Sequence, residues 1–152
     1  MADKAVSLSP GSADANALAG VVKAISGQTR EGLELMERGM RLEPDFPEWL
    51  PAPVNFARIE LGQYDKARKL ALEVLASDTS DVRAKPYAAA ALTAIAVFSG
   101  DMAEARDRAA GLQRLFPDVS GEFARRARAE YKNQDFVERY VQALIAAGIP
   151  QQ

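Results

Sequence analysis

The chain contains neither cysteine nor histidine. Without cysteine there is no disulfide and no thiolate chemistry, and the redox compartment cannot be read from the sequence. Without histidine the commonest general base and the commonest metal ligand are missing, and with neither Cys nor His a zinc site is not expected. No metal site, no cofactor and no catalytic residue is therefore expected, and the chain reads as a non-enzyme. Charge of one sign is also lacking. Lys and Arg number 19 against 21 Asp and Glu, a net charge of -2, so neither a nucleic-acid partner nor an acidic membrane surface is expected. No apolar run approaches the roughly 18 residues of a membrane span, and the first residues lack the apolar segment of a signal peptide. A cytoplasmic location is the expectation. Aromatic residues are few, at 7%, with one tryptophan, so each of them carries weight.

What is present is repetition. Three segments look alike: SGQTREGLELMERGMRLEPDF, LGQYDKARKLALEVLASDTSD and SGDMAEARDRAAGLQRLFPDV. They open on Gly27, Gly62 and Gly100, 35 and then 38 residues apart. Each places a small residue five positions later, at Gly32, Ala67 and Ala105. A period of about 34 belongs to helix-turn-helix repeats. Glycine suits the left-handed position past a helix end, and the small residue lets two helices approach. Ala, Leu, Arg and Glu dominate, and few runs alternate with period two, so strands are nearly excluded.

The pattern predicts an all-α fold in antiparallel helical hairpins. Residues 1–11 are expected to form a flexible arm, and residues 12–150 one domain. Its hairpins span about 13–44, 48–80 and 82–118, followed by a capping pair at 119–150. Helices are expected at 13–26, 29–42, 51–61, 64–77, 84–99, 101–115, 120–131 and 135–147. Pro51 must sit in a first turn. Pro86 either follows a helix start near Lys85 or kinks a longer helix. The extra residues of the longer spacing are expected in the 79–86 connection.

On these residues the chain resembles tetratricopeptide (TPR) regions. GLELMERGMRLEPDFPEW (32–49) and the tail LFPDVSGEFARRARAEYKNQDFVERYVQALIAAGIP (115–150) are similar to the C-terminal TPR part of bacterial class III adenylate/guanylate cyclases. The tail matches through Arg125, Arg126, Tyr131, Lys132, Glu138, Arg139, Tyr140, Gly148 and Pro150. The resemblance implies a TPR-like superhelix of about three repeats with a C-terminal capping pair. It also implies a protein-protein interaction module, the regulatory region of a larger signalling protein. A dimerisation module and the TPR region of a bacterial transcriptional regulator are the alternatives. Three departures stand out: Gly39 replaces the usual Ala, Asn55 the usual Gly, and Thr79 the closing Pro. Each is expected to loosen local packing.

Stacked hairpins make a concave groove. Its first helices would present Val21, Trp49, Phe56, Ile59, Tyr87 and Phe98, an apolar and aromatic surface for a protein or peptide. The competing reading buries these residues as core, under neighbouring hairpins or the C-terminal pair. Arg125, Arg126, Arg128 and Lys132 form a basic cluster that reads either as an anion contact or as an ordinary solvated face.

Overall fold

The structure, a computed structural model, describes residues 2–150. Every regular element among them is a helix: α1 (Ala2–Leu8), α2 (Ala13–Ile25), α3 (Thr29–Leu42), α4 (Pro51–Glu60), α5 (Tyr64–Ala76), α6 (Ala84–Phe98), α7 (Met102–Leu115), α8 (Val119–Glu130) and α9 (Gln134–Ala146). From α2 onward the expected boundaries fall within a residue or so of these. The stretch expected as a flexible arm instead carries α1, which packs on α2 and brings Asp3 to 2.9 Å from Lys23. Met1, the first residue of that stretch, lies outside the described residues.

The turn chemistry explains the boundaries. Past α2, Gly27 takes φ 93°. Its N–H donates to the Ala24 carbonyl at 3.1 Å, and the Gln28 N–H to the Lys23 carbonyl at 2.9 Å. This two-bond Schellman closure needs a left-handed residue, which glycine supplies without a Cβ penalty. The same pair of bonds closes α4 at Gly62, α6 at Gly100 and α9 at Gly148. Helix starts are less uniform. Ser12, Asp101 and Asn133 accept a first-turn N–H through their side chains, while Pro51 opens α4 without needing a donor. Pro86 lies in the first turn of α6, which begins at Ala84. The connection before it, residues 77–83, is held by the Glu48 carboxylate. That group accepts from the Ser80 N–H at 3.0 Å, the Ser80 hydroxyl at 2.8 Å and the Asp81 N–H at 2.9 Å. Where the sequence has Thr79 in place of a proline, the hydroxyl accepts from the Asp81 N–H at 3.2 Å.

Helices α2 and α3 meet backbone to backbone. A Cβ on Gly32 would fall 2.5 Å from the Gly20 carbonyl oxygen, and one on Gly39 2.9 Å from that of Ala13. The expectation that Gly39 loosens packing is therefore corrected. Its missing side chain is what allows the close approach. Ala67 and Ala105, the corresponding small residues of α5 and α7, have no exposed surface. Ion pairs cross from one helix pair to the next, Arg58 to Glu37 at 3.2 Å and Arg68 to Glu104 at 2.8 Å.

The last pair does not simply extend the row. Its turn comes back to the first pair: the Lys132 N–H donates to the Ile25 carbonyl at 2.8 Å. Glu60 accepts from the Thr29 hydroxyl at 3.0 Å and from the Asn133 amide. Helix α9 packs on α6, and its Phe136 and Tyr140 reach Phe56 of α4, with ring centroids 4.9 and 5.0 Å away.

Candidate functional site

Closure by the last pair leaves a pocket with a volume of about 230 Å³. Five helices supply its walls. Val21 and Ile25 come from α2, Phe56 and Asn55 from α4, Tyr87 from α6, Phe123 from α8 and Tyr140 from α9, with Tyr131 just past α8. Trp49 stands just before α4, on the same wall. The rings pack edge to face and tilted. Phe56 lies 4.5 Å from Tyr131 and 6.1 Å from Phe123, and Tyr87 lies 5.5 Å from Phe123. Such arrangements set ring edges against ring faces and fix each side chain's orientation.

The charged groups of the pocket lining are engaged within the chain. Glu48 is occupied by the 77–83 connection, and the backbone N–H of Ser80, followed by its hydroxyl, holds the carboxyl below the usual carboxylate range. Arg83 pairs with Asp81 at 3.4 Å, and Arg126 with Glu130 at 3.3 Å. Arg126 also donates to the Tyr87 hydroxyl at 3.4 Å. Burial pushes the Tyr131 and Tyr140 phenols well above their ordinary values, so both stay neutral. The pocket thus offers aromatic surface and neutral polar groups, inside a rim whose charged groups are engaged within the chain. Its smallest polar element is Asn55. That residue is buried at 3% exposure, and its Oδ1 has no hydrogen-bond partner.

Of the residues singled out in the sequence, Val21, Trp49, Phe56 and Tyr87 line the pocket. Ile59 and Phe98 do not. Ile59 is buried in the main core. Phe98 stacks on Tyr64 at 6.1 Å, under the Arg139 guanidinium. The four basic residues are not one patch. Arg125 is exposed. Arg126 is at the pocket. Arg128 forms a bidentate pair with Glu138 at 2.6 and 3.1 Å. Lys132 lies across from Gly27. Sequence reasoning missed Phe123, Tyr131, Tyr140 and Asn55 as pocket residues. For the three rings, the signal available was a tail unusually rich in aromatics for a chain with so few. Among the described residues, no cluster of acidic side chains could hold a metal ion, and no helix is long and apolar enough to cross a membrane.

No known protein-family model matches the chain, and no curated protein matches it in sequence.

Proposed function

We propose that the chain is a TPR-like interaction module that binds a partner protein or peptide by taking one apolar anchor side chain into the pocket between α2, α4, α6, α8 and α9. The observation that carries this reading is the pocket itself. It is concave and aromatic, sized for one side chain, and bordered by charges already paired within the chain. Interfaces concentrate their energy in a few buried anchors that fill such pockets. The turn glycines at a near-constant interval and the paired packing of successive helices support the TPR-like part. The chain reads as a binder rather than a catalyst because its pocket carboxylates are engaged and it has no histidine or cysteine. The resemblance to cyclase C-terminal regions extends the proposal to a regulatory region of a larger signalling protein.

Selection of a displayed random-peptide library on the immobilised protein tests the binding. Peptides sharing an aromatic or large apolar residue should enrich on the parent chain. They should not enrich on Ala52→Phe, which puts a ring into the pocket mouth, once its circular dichroism shows that it is folded. Equal enrichment on both proteins, or none on either, ends this reading.

A further inference from the structure

Inside the pocket one hydrogen-bonding capacity is unfilled. Buried side-chain polar atoms are nearly always paired, yet Asn55 Oδ1 is sealed in the wall with no partner. The neighbouring guanidiniums are directed elsewhere, Arg83 to Asp81 and Arg126 to Glu130 and the Tyr87 hydroxyl. Among the pocket's polar groups this acceptor is a side-chain amide, set among aromatic walls. The terminal torsion of an asparagine is broad, and a half-turn exchanges oxygen and nitrogen within almost the same envelope. The oxygen can therefore face the pocket interior without repacking its surroundings.

Size narrows the occupant. An apolar cavity of about 150 Å³ holds a benzene ring. The volume of about 230 Å³ here accommodates a fused pair of rings. The surface beside the pocket suggests how such a ring is delivered. On α2, Leu18, Val21, Val22 and Ile25 fall at i, i+3, i+4 and i+7, which makes one stripe. Val21 and Ile25 turn into the pocket, while Leu18 and Val22 stay open beside it at 57% and 51% exposure. A chain that seats a ring in the pocket finds an apolar track for its neighbouring residues.

We infer that the pocket is selective for an indole, delivered by a tryptophan of the partner chain. Its ring N–H donates to Asn55 Oδ1, and its flanking apolar residues lie along Leu18 and Val22. The inference rests on the partner-binding reading above and names the anchor.

Nuclear magnetic resonance titration of the isotope-labelled protein decides it with three probes: N-acetyltryptophanamide, its ring-N-methylated analogue and N-acetylphenylalaninamide. The first should shift the resonances of Val21, Trp49, Asn55 and Phe56. The methylated analogue should bind about tenfold more weakly, the loss of one hydrogen bond. Asn55→Leu should bind both indoles alike. Equal affinity of the two indoles for the parent chain overturns the inference and leaves the binding-module reading standing. That comparison needs no variant to fold. If no probe moves these resonances while displayed peptides still enrich on the parent, the inference alone falls; if neither happens, both fall. A tryptophan peptide flanked by leucines should lose affinity for Leu18→Ser/Val22→Ser, while N-acetyltryptophanamide should not. Loss for both or for neither overturns delivery by a partner chain.

Discussion

At the residue scale, the glycines separate into kinds that composition alone does not distinguish. Gly32 and Gly39 are points of contact, and Gly111 is a helix interior with open space where a Cβ would stand. Gly32→Ala must push its Cβ into the backbone of α2, 2.5 Å from one oxygen and 2.6 Å from the Ala24 nitrogen. Neither neighbour can rotate away. We expect a loss of about 3 kcal/mol, at the upper end of ordinary overpacking. Gly111→Ala should instead gain about 0.5–1 kcal/mol, because it only removes backbone freedom from the unfolded chain. Urea unfolding of the two variants reads both signs in one experiment. If Gly32→Ala unfolds at the parent's midpoint, the close contact of α2 and α3 is wrong. Ala67→Leu and Ala105→Leu belong to the same class, since both alanines are fully buried. Each should lose about 1–3 kcal/mol.

Between elements, the Glu104 carboxylate pairs with two arginines. The side chain of Arg68, from another helix pair, lowers its pKa most, and Arg108 one turn along adds to the effect. A carboxyl held below its unfolded value stabilises the fold above the unfolded pKa, and that contribution disappears as pH falls through the folded value. Glu104→Gln should therefore melt below the parent near about pH 7, by roughly 0.5–1 kcal/mol for a partly exposed pair of contacts. The gap should narrow as the pH falls through the lowered folded pKa and close once both states are protonated. A gap that persists in acid means that the side chain contributes by packing rather than charge. The elements themselves were largely legible in the sequence. Gly27, Gly62 and Gly100 announce three turns, Pro51 fixes the start of α4, and the charge pattern puts Asp101 at a first turn. Two things were not legible. The placement of helix α1 depends on the face that α2 offers. The positions of Ile59 and Phe98 depend on which side α9 packs, and periodicity within one helix does not carry that information. Phe123, Tyr131 and Tyr140 are visible as rings in the tail, but they meet Phe56 across 67 to 84 positions of sequence.

On the scale of the whole molecule, the bonds from the last turn to the first two pairs change how the chain should unfold. A row of helix pairs that touch only their neighbours can melt piecemeal. Here the Lys132 N–H and the Asn133 amide tie the end of the chain to Ile25 and Glu60. The rings of α9 also complete the core around Phe56. The fluorescence of Trp49, which reports on the first two pairs, should therefore change at the same temperature as far-UV circular dichroism. Deleting residues 119–150 should lower both transitions and split them apart. Coincident, unchanged transitions in the truncated chain mean that the last pair is an appendage.

The bond between Lys132 and Ile25 also sets a limit on how such a chain can grow. An open array lengthens by duplication, because a new unit needs only two free faces. Once the last turn meets the first, an inserted unit separates two partners that lie within hydrogen-bonding distance and leaves both backbone groups to find others. Insertion of a unit between the two is thereby disfavoured, and variation between them should appear as substitutions in the pocket wall.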